Sequence, residues 1–386
     1  MRPRGQPSKG NRGFEPGERR AGATGIPPVP ARAGNIEVSG VGVNEQARFR
    51  IDRDGVCGPR SRANAPKLAT VPMDQDVKTQ LERRLGRAHT RRRLGIEADH
   101  EMRMFGRGVH FFDVEHWYSL HSLIRNALRL AGLYRRACRN AERVEVRHNV
   151  IRSRRLPSRF DGFSILHISD LHVELSQGAN RRLIELVRDL RYDLCVLTGD
   201  YRSRTFGPFA AALEGLRLLR ANLEAPVYAV LGNHDTIRMV PGLEAMGIGV
   251  LLNESTAIVR GDQRIHLAGI DDAHFYRVDD IQEAAAGIPA YAFSILLSHT
   301  PEIYRQAAHA GFDLMLSGHT HGGQICLPGS IPVTLDSVLP RRMGSGAWTY
   351  RQMAGYTSVG VGACIVAVRL NCPPEITLHQ LATERS

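Results

Sequence analysis

Lysine, closely spaced cysteine and long apolar runs are all scarce in this chain of 386 residues. Only three lysines occur, at Lys9, Lys67 and Lys78, so nearly every cationic side chain is an arginine. We attribute that preference, like the abundance of glycine and alanine, to compositional bias rather than to a binding role. No stretch of 18 uncharged apolar residues is present, so the sequence predicts no transmembrane helix.

The cysteines are too few and too scattered for a disulfide scaffold. There are six, and no two of them form a C-x-x-C pair: Cys57, Cys138, Cys195, Cys326, Cys364 and Cys372. Small secreted domains that rely on disulfides have a much higher cysteine density. The pair Arg19-Arg20 is not followed by the apolar segment that a secretory or twin-arginine signal needs. The sequence therefore predicts reduced thiols and a cytoplasmic protein.

The net charge of +12 is concentrated in the first part of the chain. Residues 1–162 contain 33 basic and 17 acidic side chains, whereas residues 163–386 contain 18 and 22. The basic character therefore says little about what the second part binds. An apolar fraction of 42% is enough for a sizeable core, which excludes a wholly disordered chain and a polytopic membrane protein.

Residues 1–100 are rich in arginine, glycine and proline and sustain neither a helical nor an alternating apolar period. Such a segment buries too little apolar surface to offset the entropy of ordering, so we expect a disordered basic tail that is dispensable for folding and activity. A nucleic-acid-binding tail centred on the arginine triplet at 91–93 is the alternative, which the scarcity of stacking aromatics disfavours. In a third interpretation the native chain starts near Met102 or Met104, where ordered patterning begins.

Residues 101–160 are predicted to contain an amphipathic helix, at 114–143, and a linker. One half of the helical wheel is apolar, and no acidic residue lies between Glu115 and Glu142. The other half contains five arginines: Arg125, Arg129, Arg136, Arg139 and Arg143. An apolar face wider than the roughly 100° stripe of a packed helix, opposite a row of arginines, favours an anionic membrane surface as partner. Packing against the domain that follows is the alternative, because an amphipathic helix usually packs its apolar face on the rest of the protein.

From residue 163 onward, short apolar runs alternate with helical patterns. The runs predict strands at 164–168, 194–197, 227–231, 293–297 and 314–316. Helices are predicted at 179–190, 208–222, 238–246 and 301–310, and further strands at 356–362, 365–370 and 375–381. Continuous apolar runs bounded by glycine and aspartate indicate strands buried on both faces with helices packed over them. The pattern predicts an α/β domain over residues 161–384.

Each of the first five apolar runs is followed by residues that bind metals or transfer protons. The segments are S-D-L-H at 169–172, T-G-D at 198–200, G-N-H-D at 232–235, S-H at 298–299 and S-G-H-T-H-G-G at 317–323. Open α/β sheets place their sites at the carboxyl ends of the strands. Because residues i and i+2 of an extended strand point to the same side, Asp170 and His172 should project together, as should His319 and His321.

Carboxylates mixed with imidazoles suit Mn, Fe, Zn or Co and do not suit Ca. The segments contain seven candidate ligands: Asp170, His172, Asp200, Asn233, His299, His319 and His321. That number is too large for one ion and about right for two ions that share a bridging carboxylate. Each motif alone has a structural explanation, such as an ordinary turn at G-N-H-D, but five in order, each behind an apolar run, argue against coincidence.

The ordered set D-L-H, G-D, G-N-H-D, S-H and G-H-T-H-G-G-Q resembles the calcineurin-like metallophosphoesterase superfamily over roughly residues 163–381. The segments F-D-G-F at 160–163 and P-P-E-I at 373–376 are similar to a bacterial branch of membrane-associated phosphodiesterases. That branch includes enzymes assigned to cleaving UDP-2,3-diacylglucosamine in lipid A synthesis. The resemblance implies a layered β-sandwich flanked by helices and a hydrolase of phosphoesters or pyrophosphates. It also implies two divalent ions, for which Mn²⁺ is our expectation, a small or lipid-linked substrate, and a peripheral location on the inner face of the membrane.

The same resemblance assigns a role to each motif residue. It places the first metal on Asp170, His172 and His321, and the second on Asn233, His299 and His319. Asp200 would bridge the two ions. His234 would contact the phosphate and protonate the leaving oxygen, as an imidazole can near neutral pH.

Three neighbouring residues each have two interpretations. Arg202 and Arg204 follow the bridging aspartate and either bind a substrate phosphate bidentately or are solvated loop residues. Asp235 either orients the His234 loop or caps a helix. The chain departs from protein serine/threonine phosphatases, which resemble G-D-x-x-D and G-N-H-E, because Ser203 and Asp235 occupy the positions that differ.

Two other functions compete with hydrolysis. Non-catalytic scaffolds with this fold usually lose ligands or the acid, whereas all seven ligands and His234 are present here. A nuclease needs a basic groove in the catalytic domain. The excess of acidic over basic side chains in residues 163–386 argues against one, so nucleic acid is not an expected partner.

Overall fold

Two six-stranded sheets form the centre of the protein in a computed structural model that describes residues 75–105 and 122–384. The first sheet has the order β1-β14-β2-β3-β4-β5, with β1 Glu145–Ser153, β2 Ser164–Ile168, β3 Leu194–Leu197, β4 Val227–Ala229, β5 Ile248–Val250 and β14 Glu375–Thr383. The second has the order β12-β13-β9-β8-β7-β6, with β6 Glu254–Arg260, β7 Gln263–Gly269, β8 Ser294–Leu297, β9 Leu314–Ser317, β12 Gly346–Tyr350 and β13 Met353–Thr357. A short hairpin joins β10 Cys326–Leu327 to β11 Ile331–Pro332.

Successive side chains of the central strands point alternately into the core between the two sheets and toward the covering helices. In β2, Ile165 faces the second sheet while Leu166 packs under the helices, and in β8 Ile295 and Leu296 divide in the same way. The central strands β2, β3, β4 and β5 pair in parallel, as do β7, β8, β9 and β13. Parallel strands covered on both faces need apolar residues at consecutive positions, which is why the sequence shows continuous runs there.

Helices cover the outer faces of the sandwich. The helices are α1 Gln75–Leu85, α2 Arg87–Phe105, α3 at 122–130, α4 Tyr134–Ala141, α5 Gln177–Asp189, α6 Ala210–Arg220, α7 Val240–Ala245, α8 Ile281–Ala285 and α9 Tyr304–His309. Side chains of α5, α6 and α7 pack on the first sheet, and side chains of α8 and α9 pack on the second. The predicted fold class, an α/β layered sandwich flanked by helices, is confirmed.

The prediction of a disordered tail is wrong for residues 75–100. Helices α1 and α2 occupy this segment, and Leu81 and Leu94 are buried in the same apolar cluster as α5 and α6. Gly86 turns the chain between them at φ +81°, a conformation that glycine adopts without strain. The pattern was missed because part of the buried face of α2 is ionic, at Arg93 and Glu97. The remainder of the predicted tail, residues 1–74, lies outside the described residues.

The prediction of a single helix at 114–143 is also wrong in the part that the structure describes. Helix α3 stops at residue 130, Gly132 turns the chain at φ +68°, and α4 begins at Tyr134. The first residues of the predicted helix, 114–121, lie outside the described residues.

One side of these two helices packs against the catalytic domain. Leu128 and Ala137 are buried against Val368, with neighbouring apolar side chains around them. Leu123 and Leu130, by contrast, are 66% and 91% exposed. The apolar surface of this segment is therefore divided between the protein core and solvent.

Some strands were misplaced by the sequence patterns. Strands β6 and β7 form an antiparallel edge hairpin at 254–269 that was not predicted, because β6 is only partly buried and its pattern is weak. The predicted strand at 365–370 is instead an irregular segment with a single bridge, between Leu370 and Ile325. Ile365 there has φ +63°, which a β-branched residue in a strand does not adopt.

Candidate active site

The polar segments predicted to form a site do meet at one edge of the two sheets. Asp170 and His172 follow β2, Asp200 follows β3, and Asn233 and His234 follow β4. From the second sheet, His299 follows β8, and His319 and His321 follow β9. Both sheets contribute because the carboxyl ends of their parallel strands open to the same side.

Five of the seven predicted ligands have a left-handed backbone, with φ between 40° and 71°: Asp170, His172, Asp200, His319 and His321. Non-glycine residues rarely adopt this region, and such strain concentrates at functional sites. The finding corrects the expectation that extended i and i+2 positions would align the side chains. The strand β2 ends at Ile168, and the left-handed residues after it turn the carboxylate and the imidazole inward.

Asp170, His172 and His321 form a first cluster. The Nε2 atoms of His172 and His321 are 3.1 Å apart, and Oδ1 of Asp170 is 3.6 Å from Nε2 of His321. Oδ2 of Asp200 approaches Nε2 of His172 to 3.7 Å. All four side chains are almost fully buried.

Asn233, His299 and His319 form a second cluster around the same aspartate. Nε2 of His299 is 2.9 Å from Oδ1 of Asn233, 3.2 Å from Nδ1 of His319 and 3.3 Å from Oδ2 of Asp200. Asp200 therefore lies between the two clusters, as a bridging carboxylate must.

The donor atoms of these clusters suit divalent cations. Nδ1 of His172 contacts the carbonyl oxygen of Arg202, and Nδ1 of His299 contacts that of Thr198, each at 2.7 Å. Because a carbonyl oxygen can only accept, Nδ1 carries a proton in both rings, and Nε2 is the atom that each ring presents to the clusters as a ligand. Lone pairs of nitrogen, amide oxygen and carboxylate facing one another at 3–4 Å repel unless a cation lies among them.

The pKa values of three buried histidines also indicate that the two aspartates favour positive charge in the clusters. Burial opposes charge on His299, but the carboxylates of Asp200 and Asp170 outweigh it and raise the pKa of His299 to about 10. Burial and the nearby rings His299 and His274 lower the pKa of His319 to about 3. Burial together with the Arg369 guanidinium keeps the pKa of His321 well below its ordinary value. The neutral imidazole that a lowered pKa favours at His319 and His321 is the form that metals bind.

His234 lies at the rim of the two clusters. Its backbone N–H donates to Oδ1 of Asp200 at 2.9 Å, and its Nδ1 is 3.0 Å from the hydroxyl of Thr205. Its Nε2 is 3.9 Å from Oδ2 of Asp200. Burial lowers the pKa of His234 to about 4, although the charge of Asp200 acts in the opposite direction.

Asp235 orients the loops and does not cap a helix. Its carboxylate accepts hydrogen bonds from the backbone N–H groups of Gly232, Asp200, Tyr201 and Arg202, at 2.8–3.2 Å. The carboxylate thereby ties the G-N-H-D loop to the loop that carries the bridging aspartate. Thr236 caps the short helix that follows.

Arg202 holds the loops around the site. Its guanidinium is buried, and three of its five N–H groups donate to the carbonyl oxygens of His234, Thr205 and Gly207. Its role in binding a substrate phosphate stays a prediction. Arg204 is exposed and does not line the cleft described below. The role of Arg204 in substrate binding also stays a prediction.

Several residues that shape the site were missed by sequence reasoning. The thiol of Cys364 lies within 4.8 Å of the ligand atoms of His172 and His321. Gln324 fixes that position, because its side chain pairs with both the N–H and the carbonyl of Cys364. The ring centre of His274 lies 4.3 Å from that of His319, with the two rings tilted, and Nδ1 of His274 is 2.9 Å from Oε2 of Glu302. Gln324 stood inside the G-H-T-H-G-G-Q motif, whereas no local signal marked the other three.

A cleft of about 460 Å³ opens on the clusters. At its floor lie Asp200, Asn233, His234 and His321, and its walls are largely apolar. The apolar walls come from helix α3 and the loops around the β10–β11 hairpin and residue 365: Ile124, Ala127, Leu128, Ile325, Val333 and Ile365.

Comparison with known proteins identifies the family. The family model described as calcineurin-like phosphoesterase matches residues 163–323. The chain is 32% identical over 239 residues, 58% of its own length and 86% of the other, to "Uncharacterized metallophosphoesterase YkoQ" of Bacillus subtilis. The chain belongs to the calcineurin-like metallophosphoesterases. It is also 31% identical over 234 residues, 57% of its length and 82% of the other, to "Phosphodiesterase YaeI" of Escherichia coli.

This metallophosphoesterase is thus a metal-dependent phosphoester hydrolase. A third relative, from Danio rerio, is named "Transmembrane protein with metallophosphoesterase domain" and is 30% identical over 242 residues, 58% of this chain and 54% of that protein. In the part of this chain that the structure describes, no helix is both long and apolar enough to cross a membrane.

Proposed function

We propose that this metallophosphoesterase is a two-metal hydrolase of a phosphodiester or pyrophosphate whose substrate carries an apolar group. The observation that carries the proposal is the cleft, in which apolar walls lead directly to His234 and the two ligand clusters. Ligand pockets are usually apolar with a few polar groups that fix orientation. UDP-2,3-diacylglucosamine, a lipid-linked nucleotide of lipid A biosynthesis, is the substrate we propose to test first, because it combines a pyrophosphate with acyl chains.

In this proposal the two clusters each hold one divalent ion. The first ion binds Asp170, His172 and His321, the second binds Asn233, His299 and His319, and both bind Asp200. Such a pair supplies polarisation of the phosphoryl oxygens and activation of an attacking water. Mn²⁺ is the ion we propose, since it accepts carboxylate, amide and imidazole ligands. The thiol of Cys364 beside the first cluster adds a soft donor, and soft donors favour Zn²⁺, Fe²⁺ or Co²⁺.

His234 is the general acid of this proposal. Burial keeps its ring neutral in the free enzyme, and its position at the rim leaves the ring facing the cleft. An anionic phosphate bound beside the ring favours the protonated form of His234. Substrate binding therefore raises the pKa of this ring. The ring can then donate a proton to the leaving oxygen.

The proposed activity can be tested with the purified full chain and a substrate panel. The panel contains UDP-2,3-diacylglucosamine, bis-p-nitrophenyl phosphate, a cyclic nucleotide and single-stranded DNA. We expect chelation to abolish hydrolysis and Mn²⁺ to restore it. Replacement His234→Ala should lower turnover by roughly 10²–10⁴, the usual contribution of a general acid, while metal content measured by atomic emission stays unchanged.

The outcomes separate the competing functions. Preference for the diacyl nucleotide supports the apolar cleft as the binding site, whereas preference for DNA supports a nuclease. Metal binding with no hydrolysis of any compound indicates a non-catalytic scaffold. Wild-type rates for His234→Ala on every substrate would contradict the acid assignment.

We also propose that the protein binds the inner, anionic surface of the cytoplasmic membrane near this cleft. Exposed apolar side chains stand beside it, at Leu123 and Leu130 on α3, and at Leu327 and Ile331 on the β10–β11 hairpin. Exposed arginines accompany them on α3 and α4: Arg125, Arg129, Arg135, Arg136 and Arg139. Apolar side chains next to cations suit the interface of an anionic bilayer.

Liposome co-sedimentation tests this surface. Wild-type protein should sediment with vesicles that contain anionic lipid, and binding should weaken as salt rises, because each arginine near the surface contributes about 1 kcal/mol. The variant Arg125→Glu/Arg129→Glu/Arg136→Glu should lose most of the binding. A matched control, Arg181→Glu/Arg182→Glu/Arg188→Glu, changes the net charge equally on helix α5, away from the cleft lining. Equal sedimentation of the two variants would contradict the proposal that this surface binds the membrane.

A further inference from the structure

The helical hairpin α1–α2 places a buried ion pair against the loop that carries Asn233 and His234. Arg93 is completely buried, and Glu97, one helical turn later, is 6% exposed. Nε of Arg93 donates to Oε1 of Glu97 at 3.0 Å, and Nη1 lies 3.5 Å from Oδ1 of Asp271. The guanidinium also stacks 3.4 Å from the ring centre of Tyr276. Charges are buried at high cost unless they are paired in this way.

Arg93 and Glu97 also form hydrogen bonds with three consecutive residues, 235–237. Nη2 of Arg93 donates to the carbonyl oxygen of Asp235 at 2.9 Å. Glu97 accepts from the hydroxyl of Thr236 at 2.5 Å and from the backbone N–H of Ile237 at 2.8 Å. One helix turn thereby holds the backbone that immediately follows His234.

The same loop is held from the other side by the carboxylate of Asp235, which binds the backbone around Asp200. Strand β4 ends at Ala229, the N–H of Val230 still donates to Leu197 of β3, and the next helical turn begins at Ile237. Residues 231–236 lie outside the strands of the sheet. The hairpin lies outside the residues that the family model matches, 163–323. The loop after β4 is therefore held by the α1–α2 hairpin, which precedes the domain, as well as by contacts among the motif residues.

We propose that Arg93 and Glu97 are positioning residues that set the placement of Asn233 and His234 in the active site. The inference rests on the proposed function for its rate effects only. Displacement of a reacting group by about 1 Å can cost on the order of 10²-fold in rate. Loss of the Glu97 contacts frees the loop on one side, which shifts both the amide ligand and the acid.

Full-length Glu97→Ala should show kcat on the cyclic nucleotide, whose leaving sugar oxygen needs a proton, lowered by about 10²-fold with KM little changed, because proton donation fails more than binding. Binding of Mn²⁺ at the second cluster, measured by calorimetry, should weaken while the first cluster keeps its affinity. Glu97→Gln keeps an oxygen for the N–H of Ile237 and should recover most of both properties. Arg93→Lys keeps the charge without the fork geometry and gives the same readouts if Glu97→Ala does not fold.

Arg84→Ala is the matched control. Arg84 joins the same hairpin to Glu244 and Glu254 without touching residues 233–237, so its loss should lower Tm and leave kcat and metal binding at wild-type values. If the Glu97 and Arg93 variants behave like Arg84→Ala, the pair is merely structural and the proposal is overturned. If the wild type hydrolyses no substrate, the proposed function fails, but the calorimetry still reports whether the hairpin positions Asn233.

Discussion

Asp200→Asn should abolish hydrolysis and strip both metal sites of tight binding. Oδ2 of Asp200 lies within 4 Å of Nε2 in each of His172, His234 and His299. The single carboxylate charge is shared between two divalent ions, so half a unit charge acts on each ion. At 4 Å and an effective dielectric constant of about 20, this contributes about 4 kcal/mol to the binding of each ion. Loss of this charge should lower the affinity for each ion by about a thousandfold. Calorimetry with Mn²⁺ and atomic emission measure the effect.

The substitution is chosen so that the fold survives. Asparagine has the same size and tolerates the left-handed backbone that Asp200 adopts at φ +57°. Its Oδ1 can still accept from the N–H of His234. Asp262→Asn, which alters an exposed ion pair with Arg159, is the control and should bind metal normally. Tight binding of two ions by Asp200→Asn would contradict the bridging assignment.

A chain that starts at Met102 should fail to fold stably, contrary to the expectation that the sequence pattern raises. The truncation removes α1 and most of α2, including the buried leucines Leu81 and Leu94. Loss of a buried leucine costs about 2–5 kcal/mol. Asp271 would keep a buried carboxylate without Arg93 and His89, which costs about 3–5 kcal/mol. The sum approaches the 5–15 kcal/mol by which typical domains are stable.

The matched control is a chain that starts at Asp74, because it retains every contact of the hairpin described above. Thermal unfolding followed by circular dichroism should show a cooperative transition for that chain and the full-length protein. The chain from Met102 should show a strongly lowered or absent transition. A Tm within a few degrees of full length for the Met102 chain would mean that the hairpin contributes little to the fold.

The G-N-H-D and G-H-T-H segments were predictable from the sequence because their chemistry follows buried strands. Continuous apolar runs identify strands covered on both faces, and the carboxyl edge of such a sheet is a fixed location. The seven candidate ligands could therefore be named from local patterns, and their division between two ions followed from the family resemblance. The way in which the side chains converge could not be predicted. The N–H groups of the left-handed residues Asp200 and His319 are bound by the carboxylates of Asp235 and Asp170, which are distant in sequence.

The sequence by itself determined the fold class, the edge of the sheets where the site lies and the kinds of metal ligand, because each of these depends on short-range periodicity and residue chemistry. Only the tertiary structure decided that residues 75–105 belong to the fold and that Arg202 holds loops. The physical reason is that a buried arginine and a solvated one look alike in sequence. Arg93 is distinguished only by partners such as Asp235 and Asp271, which lie more than a hundred residues away along the chain.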